Sequence, residues 1–443
     1  MSGVQGDATV EQTDVGSYFV PNYPPFSVWK ADAVAADARP ALMAPPADVP
    51  LGLYLHIPFC RKRCHFCYFR VYTDKNAREV EGYLDLVARE WDLYASTPAI
   101  AGRPIDFVYF GGGTPSFLST KQLTGLVGRL NSGGAWSAAK EITFECEPGT
   151  LTEAKLSAIR DLGVTRLSLG VENFDDRILE VNGRAHRSPE IGRAYDFARS
   201  LNFPQINIDL IAGMLGETDA NWERCIERTL ALAPDSVTIY QMELPYNTTI
   251  SGDLLQRGGQ FSEPVAGWAT KRKWVQDAFA ALEQAGYHVG SDYTAVRNPA
   301  STSFLYRDRL WEGADLLGLG VASFGHVNGV HMQNMDTWPK YEAAINGGEV
   351  PLGRAYRPTA EERLIREFVL QLKRGTNLPA YFAGKYGVDV LTQFSGAIDS
   401  LEADGYLAER SPERIALTRE GLMRVDVLLP RFFRPEHAGI RYT

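Results

Sequence analysis

The sequence predicts an α/β fold: a partial (β/α)6 barrel followed by a small, mainly helical, winged-helix-like C-terminal domain. Three observations carry this. Six short runs rich in Val, Ile, Leu and Tyr alternate with helical stretches from residue 51 onward, the pattern of parallel βαβ units. The runs are almost continuously apolar, as strands covered on both faces must be. Near residue 352 the pattern changes to helices with short β pieces.

In order, the predicted strands are LGLYLHIPF, IDFVYFGGG, EITFECEP, RLSLGVE, INIDLIAG and SVTIYQME. Each leads into polar or glycine residues: Cys60 after the first, Gly111, Gly112, Gly113 and Thr114 at the second, then Glu145, Glu172, Asp209 and Gln241. Barrels of this kind keep their active site at the carboxyl ends of the strands, so one face collects these positions. Residues 1–50 read as an N-terminal extension with an aromatic segment at 18–29 (YFVPNYPPFSVW), and residues 51–350 as the barrel and its closing loop. Within residues 351–443, Thr359 and Glu362 fit a capping box, and Leu364, Ile365, Phe368, Val369 and Leu372 form an apolar helical stripe. Gly405-Tyr406-Leu407, Ile415-Ala416-Leu417 and a helix from Thr418 complete the winged-helix-like layout, read as a packing domain rather than a DNA reader.

Composition narrows the function classes. The chain has 443 residues, 45% hydrophobic and 22% charged, enough for a large core plus a satellite unit. A net charge of -9 argues against general nucleic-acid binding, which needs a basic surface, and in favour of a small-molecule substrate. No run reaches the roughly 18 apolar residues of a membrane span, and the start lacks a basic-then-apolar signal pattern. A cytoplasmic location is the expectation.

Three of the five cysteines fall within Cys60-Arg61-Lys62-Arg63-Cys64-His65-Phe66-Cys67, on a loop directly after a predicted strand. Ordinary iron–sulfur carriers use four cysteine ligands; three leave one iron with an open position for an exogenous ligand, as on catalytic zinc. Zinc is the competing reading, with His56 or His65 as fourth ligand. Arg61, Lys62 and Arg63 are expected to offset the thiolate charge and lower the thiol pKa values, or to form only a solvated basic loop. Cys146 and Cys225 read as buried small residues.

The run YLHIPFCRKRCHFCYF together with GGGTP resembles the signature of the radical S-adenosylmethionine (SAM) superfamily, specifically the HemN-like branch of oxygen-independent coproporphyrinogen III oxidases, related methyltransferases and cyclopropanases, and heme chaperones. The resemblance covers roughly residues 50–430. It implies a [4Fe-4S] cluster on Cys60, Cys64 and Cys67, SAM taken twice, and an electron donor such as flavodoxin or ferredoxin. It further implies that Gly111, Gly112, Gly113 and Thr114 hold the SAM amino group, and that Glu145, Arg184 (NGRAH) and Asp209 contact SAM. Their chemistry suits this: Arg184 can grip a carboxylate in bidentate fashion and Asp209 can accept ribose hydroxyls.

By the same comparison, Gly320, Val321 and the residues up to Phe324 match the loop that closes over the cofactor. His326 and His331 just beyond it read either as proton donors or as hydrogen-bonded loop histidines. Tyr54 matches a tyrosine beside the cluster and reads equally as a core aromatic. Two departures stand out. Phe69 replaces a further cysteine usual in the oxidases, and Glu172 (GVENF) replaces a glutamine, adding a candidate acid–base group. Tyr54 and Glu172 are therefore the catalytic candidates.

Of the activities implied, the sequence reading favours methyl or methylene transfer to an sp² carbon, with coproporphyrinogen III oxidation and heme chaperoning as alternatives. A substrate with several propionates should want Arg and Lys in its pocket, whereas residues 1–52 hold only Lys30 and Arg39 against six acidic side chains. IYQMELPYNT resembles the chaperones, and the long aromatic start resembles the oxidases.

Overall fold

The computed structural model describes residues 22–243, 248–256, 263–438 and 440; residues 18–21 of the aromatic segment and 244–247 of IYQMELPYNT lie outside them. Six parallel strands stand side by side in sequence order: β1 (Leu51–Ile57), β2 (Ile105–Gly112), β3 (Glu141–Cys146), β4 (Arg166–Glu172), β5 (Gln205–Ala212) and β6 (Ser236–Gln241). All six coincide with the runs read from the sequence. Their core positions, among them Leu53, Leu55, Ile57, Val108, Phe110, Phe144, Leu167, Leu169, Ile206 and Ile208, are fully or almost fully buried, which is why alternation was absent.

Helices connect the strands and start where side chains can satisfy their free N–H groups. Asn76 with Glu79 boxes the helix Ala77–Ala95, Ser119 with Gln122 boxes Thr120–Leu130, and Thr152 and Thr218 cap Glu153–Asp161 and Asp219–Leu232. Further helices follow at Ser188–Ser200 and Trp268–Gln284. Trp222 is buried between helices, its indole N–H donating to Trp274 O at 2.9 Å.

The sheet extends beyond the six strands at both edges. The antiparallel pair β7 (His288–Ser291) and β8 (Thr294–Val296) joins β6. On the other side β9 (Asp315–Leu319) runs parallel to β1, followed by antiparallel β10 (Phe324–Val327), β11 (Val330–Asn334) and β12 (Leu352–Tyr356). The described sheet is thus a twelve-stranded open one, a partial barrel. Asn328 and Gly329, with φ of 49° and 74°, make the tight turn between β10 and β11, since such two-residue hairpins need a left-handed backbone.

Beyond β12 the helix Ala360–Leu372 carries the expected capping box, Thr359 with Glu362, and buries its whole apolar stripe. β13 (Thr376–Asn377), β14 (Leu407–Arg410) and β15 (Ile415–Leu417) form a small antiparallel sheet, and Thr418 caps the helix Arg419–Met423. The apolar cluster around Phe368, Phe394 and Phe432 also takes in Leu310 and Trp311 from the barrel side, Phe107 of β2 and Tyr23 near the start. The C-terminal segment is therefore packed into the barrel wall and braced by the N-terminal one.

Removing the Thr359 cap tests this local account. Thr359→Ala should lower unfolding stability by about 1 kcal/mol in urea titration, without changing iron loading.

Candidate functional site

The loop after β1 is tied down before it reaches the cysteines. Tyr72 N donates to Pro58 O at 2.7 Å and Cys60 N to Tyr72 O at 3.1 Å, while His65 N reaches Asn182 O at 3.0 Å. Cys60, Cys64 and Cys67 are free thiols lining one cavity of about 200 Å³, shared with Gly112, Gly113, Thr114 and Arg184. Thr114 Oγ1 donates to Cys60 Sγ and Arg184 Nη1 to Cys64 Sγ, each at 3.3 Å. Among the described residues no three His, Cys, Asp or Glu side chains form a site for a single metal ion. His65, one candidate fourth zinc ligand, donates through Nδ1 to Val181 O at 2.9 Å.

The electrostatics differ from the sequence expectation. Burial pushes the Cys60 thiol up to about 12 and that of Cys67 up to about 11, so the basic run does not produce free thiolates. Arg61 is turned away, in a two-pronged pair with Glu147 at 3.0 and 3.1 Å. Arg63 donates to Cys67 O at 2.9 Å. The cation that reaches a sulfur is Arg184, over a hundred residues downstream. Deprotonation must then be driven by the metal itself, since metal binding and thiol ionisation are coupled.

The glycines at the end of β2 are required by close approach. A Cβ on Gly112, whose φ is 112°, would sit 2.6 Å from the His56 ring, and one on Gly113 would meet the Pro58 backbone at 2.9 Å. Gly113 N donates to Ile57 O at 2.9 Å, pressing this turn against the cysteine loop. Beside it, Glu145 accepts from Tyr109 Oη at 2.6 Å. Burial pushes its carboxyl up to about 7. Tyr54 stacks on Tyr109 at 5.9 Å, lies 3.3 Å from His56 Nδ1 through its hydroxyl, and has its own ionisation raised by burial and by Glu145.

A second acidic group centres on Arg184. Its Nη2 donates to Gly170 O at 2.6 Å and lies 3.4 Å from Glu172 Oε1, while its Nε is buried with no partner among the described residues. Glu172 sits at a bulge ending β4, with φ of 63°, and burial raises its carboxyl to about 7. Asp209 on β5 accepts from Ser168 Oγ at 2.7 Å and Asn207 Nδ2 at 2.9 Å, so a ribose would share an already engaged carboxylate. Val321 is wholly buried, its N–H donating to Tyr83 Oη at 3.1 Å; its neighbours Ala322 and Ser323, not Val321, line the adjoining cavity.

That larger cavity, about 590 Å³, opens beside Tyr54 and Glu145. Its wall includes Tyr68, Phe69, Tyr240, Tyr293, Phe304, Tyr306 and Trp311, with Phe26 contributed by the N-terminal segment and Leu422, Met423 and Val425 by the C-terminal one. His326 and His331 lie on the same wall, hydrogen-bonded to each other at 3.1 Å. Sequence reading missed Tyr109, Phe304 and Tyr306, which form an aromatic stack on Glu145's side. Tyr109 was legible as the alternate residue of a strand already assigned; Phe304 and Tyr306 fall in a stretch without periodicity.

The chain matches the model of the Radical SAM superfamily over residues 54–229. The heme chaperone HemW of Bacillus subtilis is 28% identical over 371 residues, spanning 83% of this chain and 95% of that protein. The oxygen-independent coproporphyrinogen III oxidase of Synechocystis is 26% identical over 407 residues, 87% and 86% of the two chains. The solved structure of coproporphyrinogen III oxidase (HemN) from Escherichia coli superposes with a TM-score of 0.80, covering 93% of this chain and 96% of that one at 24% identity. The chain thus carries a Radical SAM domain and is similar along most of its length to proteins of the HemN-like branch of that superfamily. The cofactors of that family are a [4Fe-4S] cluster and SAM. The residues present fit them: three free thiols on one cavity, a buried guanidinium with an unused N–H beside them, and two glycines that admit no side chain.

Two expectations follow for these candidate ligands. Cys60→Ala, Cys64→Ala or Cys67→Ala should each abolish the cluster's visible absorption and all SAM cleavage; cleavage retained in one variant removes that cysteine from the ligand set. Because the Glu145 carboxyl is raised to about 7, its ionised fraction grows as pH rises through neutrality. A cationic ligand held by it should bind more tightly from about pH 6 to 8, by at most about tenfold per unit. Equilibrium SAM binding by Glu145→Gln should lose that slope.

Proposed function

We propose that this protein is a radical SAM oxidoreductase of the coproporphyrinogen III oxidase type, with a tetrapyrrole seated in the larger cavity. The observation that carries the reading is the continuity of that cavity with the cluster pocket. Tyr68, Phe69, Tyr240, Gln241 and Glu243 line both, so a ligand in the aromatic chamber can present an edge to the cofactor pocket. Large apolar pockets with a few convergent polar groups are the usual form of such sites. The relatives' names, oxygen-independent coproporphyrinogen III oxidase and heme chaperone, both concern tetrapyrroles.

When bound, the cluster and SAM supply a 5′-deoxyadenosyl radical that abstracts hydrogen from an unactivated carbon. The chain's part is to orient and to exclude water. Aromatic faces from Tyr109, Phe304 and Tyr306 suit a planar ring system. Arg70, Arg307, Arg366 and Lys373 on the wall suit its propionates. Lys373 lies 3.4 Å from Asp292 and Arg307 2.8 Å from Asp308, so a propionate would exchange one carboxylate partner for another. These cations come from the barrel wall and C-terminal segment, not from the N-terminal stretch in which their scarcity counted against an oxidase.

Methyl or methylene transfer is the second reading, favoured by Phe69. The residue is 40% exposed at the junction of the two cavities, where the oxidases of the resemblance usually carry a cysteine.

Anaerobic turnover separates the readings. Reconstituted protein with dithionite, methyl-deuterated SAM and coproporphyrinogen III should release carbon dioxide and form harderoporphyrinogen or protoporphyrinogen, with 5′-deoxyadenosine. Deuterium transferred to the acceptor, with S-adenosylhomocysteine, would establish transfer chemistry instead. Stoichiometric heme binding without turnover would establish a chaperone.

A further inference from the structure

The cross-strand pair His326 and His331 on the β10–β11 hairpin carries more than a packing contact. His331 is almost fully buried, and the Trp29 ring stacks flat upon it at 4.9 Å. Its Nε2 lies 2.9 Å from Tyr23 O. A carbonyl oxygen only accepts, so that nitrogen holds the hydrogen. A neutral His331 then has a bare Nδ1. The 3.1 Å contact from this atom to His326 Nδ1 needs one hydrogen, which must be on His326. A neutral His326 with its hydrogen on Nδ1 has a bare Nε2.

Both rings are held neutral by their surroundings. Burial, His331 itself, Arg366, Arg363 and Lys385 all lower His326, and burial with Arg366 brings His331 down to about 3. His326 lines the large cavity, and its Nε2 is not among the buried side-chain atoms left unsatisfied. No described residue bonds to it.

We propose that His326 is a ligand-binding residue whose Nε2 offers a lone pair to the electron-poor centre of a tetrapyrrole in the cavity, with Tyr23 and His331 fixing its tautomer. This rests on the tetrapyrrole reading above and names the group that recognises the ring. Two tetrapyrrole centres share the required chemistry: the pyrrole N–H groups of a metal-free ring and the iron of a heme. An imidazole lone pair accepts from the first and ligates the second.

The test has two parts, both on the full reconstituted chain. Long-range ¹H–¹⁵N correlation on histidine-labelled protein without ligand should find the hydrogen on Nδ1 of His326 and on Nε2 of His331. The reverse at His326 would overturn the proposal whatever the protein binds. Coproporphyrin III and ferric heme are then titrated separately into wild type, His326→Gln and His326→Phe, with melting curves establishing that each variant is folded.

For a metal-free ring, His326→Phe should weaken binding about tenfold or more while His326→Gln, whose amide oxygen still accepts, stays within about threefold. For heme, both variants should lose the imidazole-ligated absorption spectrum. Undiminished binding in both variants overturns the role of His326 and leaves the tetrapyrrole reading standing. Failure of wild type to bind either ring defeats the tetrapyrrole reading, and the proposal with it.

Discussion

One buried guanidinium joins the parts of this site that lie farthest apart in the chain. Arg184 donates to Cys64 Sγ on the loop after β1 and to Gly170 O on β4, and sits beside Glu172. Buried charge is costly unless it is paired and hydrogen-bonded. Here the sulfur of the cysteine loop on one side, and the carbonyl and carboxyl at the end of β4 on the other, divide that requirement between two elements. The cysteine loop carries its own basic run, but those side chains serve the loop's anchorage: Arg61 holds Glu147, which in turn lies 3.1 Å from His186. The charge next to the thiols is set by tertiary structure.

The same face gathers carboxyls that burial keeps near neutrality. Glu145 and Glu172 are each raised to about 7, and Asp209 is raised as well. Each adds to the cost of ionising another, so an empty site holds fewer negative charges than its sequence suggests. A cationic ligand reverses this by stabilising the ionised forms. A related arrangement supports the closing loop. Glu90, buried and raised to about 7, accepts from Gly320 N at 2.7 Å, from Asn334 Nδ2 at 2.5 Å and from Tyr341 Oη at 2.5 Å. It thereby fixes the turn that presents Ala322 and Ser323 to the cavity.

The six parallel strands were legible because doubly covered strands must be apolar throughout, and the cysteine motif because its spacing is local. So were the capping box at Thr359 and the buried character of Cys146 and Cys225. What lay beyond reach were contacts between residues distant in sequence. Nothing near Arg61 indicates that Arg184 would reach the sulfurs. The pairing of His326 with His331 depends on the Asn328-Gly329 turn, a hairpin signal that fixes register and was present in the sequence. The cations of the cavity wall, Arg307, Arg366 and Lys373, lie on helices or just after them, where they read as ordinary surface charge.

The two ends of the described chain meet over the cavity, and Tyr23 is where they do. Its ring packs against Phe433 at 4.7 Å, its hydroxyl accepts from Arg434 N at 3.1 Å and lies 3.2 Å from His437 Nδ1, and its carbonyl accepts from His331. One residue thus links the N-terminal strap, the C-terminal segment and the hairpin that carries His326. Trp29, a few residues on, stacks on His331 and meets Phe324 edge-on at 5.6 Å. Roofing of the chamber and orientation of its histidine are consequently set by the same contacts. Loss of the strap's contacts would free His331 from the carbonyl that fixes its hydrogen, and with it the hydrogen that His331 requires of His326.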